Sequence, residues 1–160
     1  MKSIDLLRSE HRDLESMLAV LEAAALCLRG GGSVRADLLS CALAFFEGFG
    51  AICHHAKEEA LLFPLRSGLG SDICFVAALQ AQHEIDRAYL LEIKEAVERL
   101  ASHDIASGPR LSIVLLEYVQ LVKEHIRIEE SYFDRLAETI SAADDARLVE
   151  RFQAMDGHSV

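Results

Sequence analysis

Two phrases in the chain read His-x-x-x-Glu-Glu: His54-His55-Ala56-Lys57-Glu58-Glu59 and His125-Ile126-Arg127-Ile128-Glu129-Glu130. On an α-helix, residues four apart stand about 5–6 Å from each other on one face, so each phrase aims an imidazole and a carboxylate at a common point. Upstream of each phrase stands a histidine that follows an acidic or amide residue, as Glu10-His11 and Gln82-His83. The offsets repeat: His11 to His83 is 72 positions, His54 to His125 is 71, and Glu58 to Glu129 is 71. His11, His54, Glu58, His83, His125 and Glu129 together form the ligand set of a dinuclear metal site inside a helical bundle.

The elements that must carry these residues are helices. Ser3 caps a first helix to about Arg29, which Gly30-Gly31-Gly32 ends. Its stripe of Ile4, Leu7, His11, Leu14, Leu18, Leu21, Ala25 and Leu28 places a histidine in a core slot. Ser33 starts a second helix to about Phe63, before Pro64 and the Gly68–Gly70 turn. Ser71 caps a third, ending near Ser102, with the stripe Val76, Leu79, His83, Asp86, Leu90, Ile93, Val97 and Leu100. Pro109 opens a fourth to about Ile140, with Leu111, Leu115, Tyr118, Val122, His125, Glu129, Tyr132 and Leu136 in line. Ser141-Ala142-Ala143-Asp144 resembles a capping box and begins a short fifth helix ending near Gly157.

Four helices, each roughly 45 Å long and joined by short connections, return antiparallel to their neighbours. The expected fold is all-α: an up-down-up-down four-helix bundle over about residues 3–140, with a short C-terminal helix over about 141–156, in a single domain of 160 residues. His11 lies near the start of helix one and His54 near the end of helix two, which is one level of an antiparallel pair. His83 and His125 stand in the same relation, so all six groups converge near one end of the bundle.

Composition agrees with long helices. Half of the residues (51%) are hydrophobic, and with 9 Gly and 2 Pro in 160 residues little chain is left for loops. A formal net charge of −10 argues against nucleic acid or an anionic membrane as partner. No signal peptide or apolar run approaching the span of a bilayer is visible, and a cytoplasmic location is the default. Cys27, Cys41, Cys53 and Cys74 lack a Cys-x-x-Cys spacing and read as small buried hydrophobes in a reducing compartment. Cys53 precedes His54 directly, but an adjacent helical position points about 100° away, which disfavours shared ligation.

Other residues near the motifs read less sharply. His55 with Glu59 has the same spacing as His54 with Glu58, and periodicity does not separate them. The repeat favours His54, because His125 aligns with it. Asp86 is either a helix-face acid or a partner holding a ligand histidine or the metal. Tyr118 and Tyr132 read as core aromatics with a polar tip near the second motif. Glu47 and Glu15 read as solvated, and His103 and His158 carry no assigned role.

At these residues the chain resembles the hemerythrin-like family, the HHE cation-binding domain. The family pattern is an early Glu-His, then His-x-x-x-Glu-Glu followed by Leu-Phe-Pro, then the arrangement again. Glu10-His11, His54 to Glu59, Leu62-Phe63-Pro64, Gln82-His83 and His125 to Glu130 follow it in order, and the resemblance covers about residues 3–140. It implies a four-helix bundle enclosing a non-haem di-iron centre. His11, His54, His83 and His125 would be terminal ligands, and Glu58 and Glu129 would bridge two iron ions that share an oxo or hydroxo group. Other divalent metals suit the same donors.

The chain departs from the oxygen-carrying hemerythrins in two places. Arg87 stands where they have a fifth histidine, and His125-x-x-x-Glu129 stands for their His-x-x-x-x-Asp. Four histidines shared by two irons leave both ions open, which suits reaction with small molecules. The ligand set is also similar to that of proteins that repair iron–sulfur clusters, which add an N-terminal cysteine-containing domain. The expected function is binding of, or reaction with, O2, NO or peroxide. The alternatives are a di-iron oxidase or peroxidase-like enzyme and a structural zinc or iron protein, as a monomer or a homodimer.

Overall fold

The computed structural model of the chain describes residues 1–62, 73–102 and 107–156, and is all-helical over them. The elements are α1 (Lys2–Arg29), α2 (Ala36–Phe45), a π-helical segment (Phe46–His54), α3 (His55–Leu62), α4 (Ile73–Ala101), α5 (Gly108–Ala137) and α6 (Ala142–Asp156). α2, the π segment and α3 follow one another without a break, as the expected second helix. The Phe63-Pro64 stop, the Gly68–Gly70 turn, the Ser71 cap, Gly157, His103 and His158 lie outside the described residues.

α5 packs along α1 and α4, α2 packs on α4, and α6 rests on α1 and α3. The buried faces are the stripes read from sequence. Every stripe residue named on α1 and α5 is buried, and on α4 only Leu100 is partly exposed. The core divides into two apolar clusters. One gathers Leu14, Leu18, Leu21, Leu43, Phe46, Leu90, Ile93, Leu115 and Tyr118. The other gathers Ile4, Leu7, Ala60, Leu61, Val76, Leu79, Phe133 and Phe152. His11, His54 and His83 fall along the chain between residues of one cluster and those of the other, and His125 lies in the last turns of the first cluster before Tyr132 and Phe133 of the second.

Several local expectations change. Ser3 does not cap α1. The helix begins at Lys2, two residues earlier than a Ser3 cap requires, and the buried Ser3 hydroxyl donates to Asp145 Oδ1 at 2.6 Å. The free amides at the α1 N-terminus are instead satisfied from α6, with Lys2 N and Ser3 N each donating to Asp145 at 3.0 Å. Ser33 lies outside α2, whose first helical residue is Ala36. Ser141 does cap α6, accepting from Asp144 N at 3.1 Å. α6 then buries Phe152 to 1% exposure, worth about 1.5–3 kcal/mol of transfer free energy.

Cys27, Cys41 and Cys74 are exposed and Cys53 is half-buried, none of them in a disulfide, which corrects the expectation of buried cysteines. Adjacency to an apolar stripe residue is not burial, because the next residue turns by about 100°. The run Ala36–Leu61 is, by length and composition alone, apolar enough to cross a membrane, which corrects the expectation that no run approaches that span. Its last turns nonetheless bury His54, His55, Lys57 and Glu58.

Candidate metal centre

The π segment ends at His54, immediately before Glu58 is presented on α3. Phe46, Gly50 and His54 are buried at four-residue intervals. In an α-helix of 3.6 residues per turn, such an interval drifts by about 40° each time. Wider i to i+5 turns take up that drift and keep these residues on one side. This is why regular periodicity could not separate His54 from His55.

The structure brings together all six residues predicted from the repeat. His11, His54, Glu58, His83 and Glu129 are at most 2% exposed, and His125 is 6% exposed. Glu58 lies between two histidine pairs and divides its oxygens between them. Its Oε1 stands 2.7 Å from His54 Nε2 and 3.5 Å from His11 Nε2. Its Oε2 stands 3.2 Å from His83 Nε2 and 3.9 Å from His125 Nε2. Glu129 Oε2 is 3.4 Å from His11 Nε2 and 3.3 Å from His125 Nε2, so it too reaches one histidine of each pair.

Two donor groups result, each with its atoms within 4.8 Å of one another: His11, His54, Glu58 and Glu129, and His55, Glu58, His83 and His125. His55 is the member that the sequence reading set aside. It is 8% exposed and stacks on His83 with ring centroids 3.8 Å apart and planes 6° from parallel.

Each ring nitrogen turned away from the centre faces a residue that the repeat already contains. His11 Nδ1 meets Glu130 Oε1 at 2.8 Å, and His54 Nδ1 meets Glu10 Oε2 at 2.8 Å. His125 Nδ1 meets Gln82 Oε1 at 2.9 Å, and His83 Nδ1 lies 3.5 Å from Glu59 Oε1. The acid or amide before each early histidine therefore serves the histidine of the following motif. The second Glu of each motif faces the early histidine of the other half-chain pairing. With Nδ1–H donated outward from His11, His54 and His125, their Nε2 atoms keep a lone pair for the centre. Sequence reasoning missed these partners, although their doubled occurrence was the available signal.

The carboxylates are themselves held. Arg8 Nε donates to Glu130 Oε2 at 2.8 Å, and Arg8 also reaches Asp134. Buried Lys57 bridges Glu10 and Asp156, the latter at 2.5 Å, so the end of α6 is tied to the partner of His54. Burial pushes the Glu10 carboxyl up, but hydrogen bonds from His54 and Lys57 outweigh it and hold it below its ordinary value.

Without a cation the middle of this arrangement is poorly satisfied. His54 Nε2, Glu58 Oε2, His83 Nε2, His125 Nε2 and both Glu129 oxygens are buried without a hydrogen-bond partner. Such atoms are normally paired, and six in one place, all nitrogen or carboxylate oxygen, fit divalent metal ions. The charges say the same. Burial, with the facing Glu58 charge, holds Glu129 well above the ordinary carboxyl range. Against burial, the His54 charge, with His11 and His125 close by, pulls Glu58 well below that range. Burial lowers His54 too, but the Glu58 charge and the Glu10 hydrogen bond outweigh it and raise it to about 9. His55 is lowered to about 2, chiefly by burial.

Over residues 2–137 the sequence matches the family described as Hemerythrin HHE cation binding domain. The chain belongs to the hemerythrin HHE cation-binding family. No curated protein and no solved structure matches it in the corresponding comparisons. As a hemerythrin-family domain it has a bundle of helices and His/Glu clusters that could hold metal, with iron the metal typical of the family.

The remaining residues near the motifs fall elsewhere. Asp86 is buried and accepts a hydrogen bond from buried Tyr118, which raises the phenol further above a range already lifted by burial. It therefore holds a tyrosine and not a ligand histidine, whose Nδ1 atoms face the partners named above. Tyr132 belongs to the second apolar cluster, with Phe75 stacked 4.1 Å away. Glu47 pairs with Lys94 at 3.3 Å on the half-exposed surface, and Glu15 is exposed.

Proposed function

We propose that this chain is a cytoplasmic non-haem di-iron protein, built as an up-down-up-down four-helix bundle with a C-terminal helix, that binds or reacts with O2, NO or peroxide. The observation that carries the reading is the division of Glu58 between the two histidine pairs, repeated by Glu129 Oε2. His11 and His54 would hold one ion, His83 and His125 the other, and Glu58 and Glu129 would bridge them. Imidazole and carboxylate together suit iron in either of its common oxidation states. Two irons held by these residues would supply up to two electrons to a small ligand.

The protein's own residues account for the rest. Glu10 and Glu130 fix the tautomers of His54 and His11, Gln82 fixes that of His125, and the apolar clusters exclude bulk water. The pattern favours small-molecule redox chemistry over catalysis on a larger substrate, because the void beside His83 and His125 is only about 10 Å3, room for about one water. The larger open groove, about 580 Å3 and lined by Ala19, Val20, Ala23 and Leu38, is walled by none of the six motif residues.

Anaerobic reconstitution with Fe(II), followed by metal analysis and absorption before and after O2, tests the reading. Two irons per chain with ferric oxo-bridge bands after exposure is the expected result. Reversal under vacuum would favour carriage, and irreversible oxidation would favour sensing or turnover. Inert uptake of zinc with no iron bands would replace the proposal with a structural metal site.

A further inference from the structure

His55 belongs to no motif that the repeat duplicates, since Ile126 occupies the equivalent place in the second phrase. It is nevertheless packed into the centre. Its ring lies face to face with His83 at 3.8 Å and edge-on to His125 at 5.9 Å. Its Nδ1 is buried and has no hydrogen-bond partner. It also lines the one-water void, together with His83, Asp86 and His125.

Proximity alone would make it a third histidine ligand of the second ion. The stacking argues otherwise. A ring nitrogen's lone pair lies in the ring plane, and a metal sits about 2 Å along it. Two rings only 6° from parallel and in van der Waals contact send their lone pairs along planes that do not meet at one ion. His83, with its Nε2 facing Glu58, keeps the ligand direction. His55 is left with a hydrogen-bonding nitrogen, a dry environment and an adjoining space the size of one small atom group.

We propose that His55 is the hydrogen-bonding wall of the ligand pocket on the His83/His125 side. In this role its ring N–H donates to the outer atom of a diatomic ligand, of the class of NO or O2, that occupies the void. Asp86, anchored by Tyr118, closes the same void from α4. Among the described residues this void adjoins the second pair, while Phe133 stacks on the His11 ring at 5.6 Å and 8°. A diatomic is therefore received at the second pair and not the first. The inference rests on the di-iron reading above.

The test uses the full chain loaded with Fe(II) and compares wild type with His55→Phe and His55→Gln. His55→Phe keeps a flat ring against His83 and removes the N–H, while His55→Gln keeps a donor and gives up the ring. Iron per chain is measured first, then the rate at which bound NO escapes to a deoxymyoglobin trap. Both variants are expected to retain two irons. His55→Phe should release NO about five- to tenfold faster, the equivalent of one lost hydrogen bond, and His55→Gln should stay near wild type. Should His55→Phe not fold, wild-type-like release by His55→Gln supports the proposal and fast release overturns it. Loss of one iron from either variant would make His55 a ligand and overturn the proposal. Unchanged release by His55→Phe would reduce the residue to a stacking role and also overturn it. Wild-type protein that takes up no iron would overturn the di-iron reading itself, and the pocket with it.

Discussion

The two histidine pairs come from two halves of one repeat, yet their surroundings differ. His11 and His54 are each backed by a carboxylate, Glu130 and Glu10, and each carboxylate is held by a buried or half-buried cation. His125 is backed by the neutral amide of Gln82, and His83 by Glu59 only at 3.5 Å. Phe133 stacks on His11 of the first pair, whereas the second pair adjoins a void. A carboxylate behind an imidazole makes it a stronger donor and favours the more highly charged metal. On the proposed reading, duplicated donors do not imply duplicated chemistry: the first pair would hold its ion firmly and the second would leave one reachable.

The largest expected effect comes from removing what the halves share. Glu58→Ala should abolish binding of both irons by metal analysis. Retention of one would mean that the halves are independent sites. Next, His54→Ala and His83→Ala should each cost one iron, and Mössbauer spectra of the remaining iron should differ between the two variants. Identical spectra would erase the asymmetry.

The third effect is on pH dependence. His54 in the metal-free protein is raised to about 9 from an ordinary 6.5. Its charge therefore stabilises the metal-free fold fully below pH 6.5, and that contribution is lost as pH rises through about 9. The stability of metal-free protein in urea melts should fall across this window by on the order of 3 kcal/mol. Iron needs the neutral ring, so the loaded protein should lack this slope.

Glu10→Gln should weaken iron binding about 10- to 100-fold in chelator competition, while Gln82→Glu should strengthen the second site and narrow the difference between halves. The smallest change is Asp156→Asn. Its carboxylate is largely exposed, so lost stability should stay below about 1 kcal/mol in urea melts.

Much of this was legible in the chain because burial follows a regular period. The stripes on α1, α4 and α5 named the core, and the repeat named six donors that meet in space. The six were readable because a histidine in an aliphatic slot is costly unless it has work to do. What escaped the reading depends on contacts between helices or on irregular turns. Glu10 and Gln82 looked like ordinary neighbours of a ligand, because the histidine each serves is on another helix. Ser3 looked like a cap, but its partner Asp145 is supplied by α6. The cysteines were placed by neighbouring hydrophobicity, when helical phase decides exposure.

The π-helical stretch has a consequence for chain length. Each of its residues turns the helix less than an α residue does, so over nine residues the shortfall amounts to about one residue's rotation, roughly 100°. Phe46–His54 thus carries about one residue more than a regular helix needs to connect the same two faces. A deletion of one residue between Gly48 and Cys53 should convert the stretch to α-helix and leave His54 and Glu58 aimed where they are now. The same deletion within α1 or α5 would swing every later ligand on that helix out of the centre. The second helix can thus lose a residue here without losing its place in the site.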